Sequence, residues 1–118
     1  MCGIAGFCNW GRENPHADME SWEKNIRKMN ERMKHRGPDA SGIWASPDRS
    51  VVFGHRRLAI VDLSEKGAQP MVSHSGRYVI TYNGEIYNYK EIAKRLLYEK
   101  KVTAFRGSSH TDVLLAPV

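Results

Sequence analysis

Cysteine is scarce in this 118-residue chain: only Cys2 and Cys8 are present. Two thiols make no disulfide framework, which fits a reducing compartment, so a cytoplasmic protein is expected. They are not a Cys-x-x-Cys pair, and His16, His35, His55 and His74 have no metal-ligand spacing, so no metal site is expected. No apolar run reaches the ~20 residues that cross a bilayer. The apolar start has no basic leader, so neither a secretory signal nor a membrane role is expected. Internal repeats, low-complexity tracts, phosphate-binding Gly-rich loops and ATP pyrophosphatase motifs are all missing. The net charge of +5 is dispersed rather than gathered with aromatics into a stripe, which argues against nucleic acid as a partner.

What remains is an ordinary globular composition, 41% hydrophobic and 26% charged, in a length that allows one domain over 1–118. Residues 3–9 read as a mostly buried strand and 10–17 as a loop. Asp18 is a candidate cap for an amphipathic helix over about 19–34, with Met19, Trp22, Ile26, Met29 and Met33 at helical spacing. His35-Arg36-Gly37-Pro38 is its stop signal. Short strands are expected at 42–45, 51–55, 58–61 and 78–82, with 64–75 as loop and Asn83-Gly84 as a tight turn. Asn88 can cap a second helix over about 89–100 with Tyr89, Ile92, Ala93, Leu96 and Leu97 on one face. A strand at 102–105 and a final helix capped by Ser109 or Thr111 follow. Hairpin-length connections favour an antiparallel sheet with helices on a face, an α+β fold.

The chemistry concentrates at the start, Met1-Cys2-Gly3-Ile4-Ala5-Gly6. Cys2 is small enough for an aminopeptidase to remove Met1. The new first residue then carries a thiol beside a free α-amine of pKa ~7.7–8.0, nucleophile and base on one carbon. If Met1 stays, that amine is locked in a peptide bond and the base is lost. Cys8 is most simply a small core residue.

Several separate segments carry a resemblance: Met1 to Gly6, His35-Arg36-Gly37-Pro38-Asp39 with Ser41-Gly42, Gly54 to Asp62, Gln69-Pro70-Met71, and Asn83-Gly84-Glu85-Ile86-Tyr87-Asn88. In this order the chain resembles class II glutamine amidotransferases, N-terminal-nucleophile hydrolases, and within them the glutaminase domain of glutamine-hydrolysing asparagine synthetases. The resemblance implies hydrolysis of L-glutamine to glutamate and ammonia through a Cys2 thioester. It makes the side-chain amide of Asn83 and the backbone N–H of Gly84 the oxyanion donors. It assigns Arg57 to the substrate carboxylate, the backbone at Ile60 and Val61 to the pocket border, and Glu85 to the α-ammonium.

One position departs from that pattern. Ser109-His110-Thr111-Asp112 stands where the family usually reads Ser-Asp-Thr-Glu. His110 thus replaces an aspartate that holds the ammonium: a neutral imidazole accepts a hydrogen bond without bringing negative charge, and a protonated one repels. Weakened or lost glutaminase activity is the expectation if His110 occupies that site and nothing compensates. The implied architecture is an αββα sandwich, incomplete because the chain stops in its third helix, with apolar faces left exposed or covered by association. No cofactor is implied for glutamine hydrolysis; ATP and magnesium would belong to a synthetase domain, which is expected to be absent from residues 1–118. A synthetase domain or subunit and a second copy of the chain are the partners implied. The rival expectation is a catalytically impaired remnant acting as a binding or self-association module.

Overall fold

Side-chain alternation builds the first sheet. The computed structural model describes residues 1–8, 19–60, 63–105 and 107–117. Strands β1 (Gly3–Cys8), β2 (Ala40–Ala45) and β3 (Val51–Arg57) form an antiparallel sheet with β3 in the centre. Gly3 pairs with Arg56 and Ala40 with Arg57 at one end, Cys8 with Val51 and Ala45 with Val52 at the other. Successive residues of β3 face opposite sides. Val52, Gly54 and Arg56 face helix α1 (Met19–Arg32), while Phe53, His55 and Arg57 face the other layer.

Helix α1 lies on the sheet through Ile26, fully buried against the equally buried Val52. Periodicity alone puts Met29 on this face, yet Met29 is 40% exposed and Asn30 is buried. Asn30 continues the i, i+4 row from Ile26, and Gly54 has no Cβ to keep it out. Its amide donates to the Ser41 hydroxyl (3.2 Å) and the Gly42 carbonyl (3.0 Å), pinning the helix to β2. The helix stops at Arg32 and turns through Arg36, and the buried Arg56 donates to the Gly37 carbonyl at 2.9 Å. The expected loop at 10–17 and the Asp18 cap lie outside the described residues.

Beyond β3 the strands are shorter than expected. Residues 58–60 are not a strand: the Ala59 N–H goes to the Asp39 carboxylate (2.8 Å), and both Leu58 peptide groups go to Cys2. With the backbone partners supplied by side chains, no ladder forms. The expected loop 64–75 contains a 3-10 turn, Glu65–Gly67, and strand β4 (Met71–Val72). The expected strand 78–82 contracts to β5 (Val79–Ile80), since β4 offers only two partners, Val72 for Val79 and Met71 for Ile80. Helix α2 (Tyr89–Tyr98) begins at Asn88, whose side chain makes no capping bond. Residues 102–105 form no strand. Helix α3 (His110–Leu115) is capped by Ser109, whose hydroxyl accepts the Asp112 N–H at 3.2 Å.

The described residues therefore make an α+β fold: a three-stranded sheet backed by α1, and a two-stranded sheet whose β4 contacts α3, with α2 packed on α3. Helix α2 has no fully buried residue, and Leu97 and Tyr98 are 44% and 89% exposed. No described helix is long and apolar enough to cross a membrane. The ion pairs Arg27–Glu23, Arg95–Glu99 and Lys101–Glu99 are at the surface and contribute little.

The seam between α1 and β3 gives a direct test. A Cβ on Gly54 would run into the Asn30 carboxamide oxygen and lie 2.9 Å from Ile26 Cδ1. Gly54→Ala is expected to destabilise by about 1–3 kcal/mol in urea unfolding. An unchanged midpoint would mean that the helix does not sit this close to the strand.

Candidate active site

The thiol of Cys2 continues the alternation of β1. Gly3 faces α1, where a Cβ would touch Met33, so Cys2 falls on the opposite side with His55 and Arg57. Its sulfur accepts the Leu58 N–H at 3.3 Å and approaches the Leu58 carbonyl at 3.7 Å. The Cys2 carbonyl accepts from Arg36 at 3.2 Å. The chain leaving β3 thus grips the sulfur by one residue's peptide groups.

This sulfur borders a cavity of about 390 Å³. The same cavity is lined by Arg57, Ile60, Asn83, Gly84, Glu85 and His110. All the residues singled out from sequence come together here, except Val61, which lies outside the described residues. Asn83 and Gly84 come two residues after β5, and Gly84 has a close neighbour: a Cβ there would come within 2.6 Å of the Tyr82 hydroxyl. Arg57 is buried and donates to the Ser64 carbonyl. Arg56, next to it, is equally buried but on the α1 side, so neither is a surface arginine. Ile60 and Glu85 are at the exposed lip.

His110 is held from two sides. Its Nδ1 accepts the Ile86 N–H at 2.9 Å, and its ring lies 4.1 Å from that of Tyr89. The acceptor expected to serve a ligand is therefore already used by the backbone. Asp112 does not take over: it is buried, outside the cavity lining, and its carboxylate accepts the Gly107 N–H at 2.9 Å.

Two residues that position the cavity wall escaped the sequence reading. Gln69 accepts the Tyr82 N–H through Oε1 (2.6 Å) and donates through Nε2 to the Thr111 hydroxyl (2.9 Å). His55 is 1% exposed and bonds the Thr81 hydroxyl through Nδ1 at 2.9 Å, with Nε2 buried and unpartnered. Burial, and then the charge of Arg57, hold its pKa down at about 4. Both residues fall in segments that carry the family resemblance, Gly54 to Asp62 and Gln69-Pro70-Met71, but nothing in those segments names the partners they bond.

A thiol, a buried guanidinium, a carboxamide, a carboxylate and an imidazole around a cavity of this size suit a small polar molecule. Comparison with known proteins narrows the choice. A family profile described as a glutamine amidotransferase domain matches residues 1–118. Asparagine synthetase [glutamine-hydrolyzing] 1 of Bacillus subtilis is 43% identical over 116 residues, covering 98% of this chain and 17% of that protein. Asparagine synthetase [glutamine-hydrolyzing] 3 of the same organism is 37% identical over 117 residues, with the same coverage. Amidase chry2 of Gibberella zeae is 33% identical over 120 residues, again covering 98% of this chain and 17% of the relative. The chain thus spans about a sixth of the length of these curated relatives.

Both positioning residues can be tested by unfolding. Gln69→Leu leaves the Tyr82 N–H and the Thr111 hydroxyl without their partner and is expected to cost about 1–3 kcal/mol. A neutral result would remove the bridge from the account. His55 binds its proton near pH 6.5 when unfolded and only near 4 when folded. The unfolded chain takes up the extra proton between those values, so stability falls as pH drops from 6.5 to 4, by about 3 kcal/mol in all, and is flat above. His55→Phe should remove that slope; an identical pH dependence in wild type and variant would contradict it.

Proposed function

The chain belongs to the glutamine amidotransferase domain family, and on that premise we propose that it hydrolyses the side-chain amide of L-glutamine, with Cys2 as nucleophile. The observation that carries this reading is one cavity lined by Cys2, by Asn83 with Gly84, and by Arg57. In this mechanism Met1 is removed and the freed α-amine of Cys2 takes the thiol proton. The sulfur adds to the amide carbonyl. Negative charge moves onto the oxygen, where the Asn83 carboxamide and the Gly84 N–H stabilise it. The carbon–nitrogen bond then breaks, the nitrogen leaves as ammonia with the proton held by the amine, and a thioester remains. Water adds to the thioester and returns the thiol, so glutamine and water give glutamate and ammonia.

The remaining groups orient the substrate. The buried guanidinium of Arg57 pairs with the α-carboxylate, and Glu85 meets the α-ammonium from the lip. Ile60 borders the substrate through its backbone, the role the family resemblance also implies for Val61. The Leu58 N–H on the sulfur is complementary to negative charge there, which suits a nucleophile that must give up its proton. Water is the only co-reactant. Among the described residues Glu85 is the one carboxylate in the cavity lining and no three His, Cys, Asp or Glu side chains gather, so these residues do not make a donor set that fits magnesium.

We extend the reading to architecture and assembly. The three-stranded sheet under α1 and the two-stranded sheet facing it are the parts of an N-terminal-nucleophile αββα sandwich that fall within these residues. Support comes from the His55–Thr81 bond, which joins the inner face of the first sheet to the segment after β5. The ammonia serves amide formation as in the glutamine-hydrolysing synthetases, with ATP and magnesium used by a synthetase domain or subunit.

Ammonia release measured beside intact mass is the test. Protein that has lost Met1 should release ammonia from glutamine. Cys2→Ala should abolish release by about 10³-fold or more. Undiminished release by Cys2→Ala would remove Cys2 from the mechanism.

A further inference from the structure

We infer that His110 makes the inner wall of this cavity a hydrogen-bond donor, so that the site favours ω-amide acids bearing a neutral oxygen at Cα over those bearing an α-ammonium. The tautomer is set by the backbone. Nδ1 accepts the Ile86 N–H at 2.9 Å, so it carries no proton, and the neutral ring holds its proton on Nε2. Tyr89, 4.1 Å away, stacks on the ring and opposes the rotation that would exchange the two nitrogens. The only nitrogen left for a ligand in the cavity is therefore a donor.

Two further donors line the cavity with His110. Arg57 is cationic and buried, and Asn83 brings a carboxamide N–H. The carboxylate nearest in sequence, Asp112, is spent on the Gly107 N–H. Among the described residues Glu85 supplies the only carboxylate of the cavity lining, and it sits at the exposed lip where water screens it. Among the described residues the phenols of Tyr82 and Tyr87, Cys2 and the terminal residue Met1 complete the titratable lining. An α-ammonium has three donors and no lone pair, so against an N–H it meets repulsion and loses water without replacement. A hydroxyl or oxo oxygen accepts that N–H. Discrimination of this kind, in which a mispaired polar group is left in a half-buried site, is large compared with that from apolar contacts.

The inference rests on the amide and carboxylate ends of the amidase reading, and is tested by binding without turnover so that the two can fail separately. Dissociation constants for L-glutamine and for 2-hydroxyglutaramate, which has a hydroxyl in place of the ammonium, are measured by calorimetry on Cys2→Ala. The hydroxy acid is expected to bind at least about tenfold tighter, since one such pairing corresponds to about a factor of ten. Adding His110→Asp should invert the ratio, whereas His110→Asn, which still offers both an acceptor and a donor, should keep it. Loss of the Ile86 anchor weakens both ligands alike, so only the ratio reports the donor. Glutamine binding as tightly as the hydroxy acid, or tighter, overturns the inference, even if wild type releases ammonia normally. Binding of neither ligand overturns both readings. The expected ratio in a protein that releases no ammonia upholds the inference and sinks the catalytic reading.

Discussion

Three side-chain bonds hold a stretch of irregular backbone, and the cavity depends on them. Residues 81–86 leave β5 after a two-residue ladder and enter no other sheet. Thr81 is held by His55 from β3, the Tyr82 N–H by Gln69 from the segment before β4, and the Ile86 N–H by His110 from α3. Each anchor comes from a different element, so the segment is fixed from three directions. Asn83, Gly84 and Glu85 lie between the anchors. Irregular backbone with its own hydrogen-bond partners is the usual place for groups that must face a ligand, because regular ladders leave no N–H to spare.

The opposite wall follows the same logic. At the end of β3 the chain stops pairing and gives the Leu58 peptide to a sulfur and the Ala59 N–H to the Asp39 carboxylate. Cys2 is thus located by the strand that precedes the turn, while Arg57, one residue earlier, is carried on the same face of the sheet. The sheet's rigidity fixes the backbone of both groups, and the long Arg57 side chain is held further by its bond to the Ser64 carbonyl.

How much of this was legible in sequence depended on the kind of signal. Strand β1, helix α1 and strands β2 and β3 follow from the spacing of their apolar residues, as does α2, although no residue of α2 is fully buried. Where side chains replace the ladder, periodicity misleads: Leu58-Ala59-Ile60 is as apolar as a strand, yet its amides are taken by Cys2 and Asp39. Tyr78 to Tyr82 is β-rich, but strand length is set by a partner, and β4 has two residues. Met29 lost its core place to Asn30 because a glycine opposite made room for a polar contact, which hydrophobicity cannot register. The site candidates were read from motif resemblance, and the structure gathers all of them but Val61 around one cavity. Their anchors were not readable, since Gln69 and His55 act through contacts that span 13 and 26 residues of sequence.

The central claim is that the Cys2 sulfur and the Asn83-Gly84 pair address one carbonyl from two sides. A crystal structure of Met1-free protein after reaction with a glutamine-mimicking diazoketone tests this most directly. The account expects a covalent bond to Cys2 Sγ with the adduct's carbonyl oxygen within hydrogen-bond distance of Asn83 Nδ2 and the Gly84 N–H. An adduct on Cys2 whose carbonyl faces away from both, or an adduct on Cys8 instead, would contradict it.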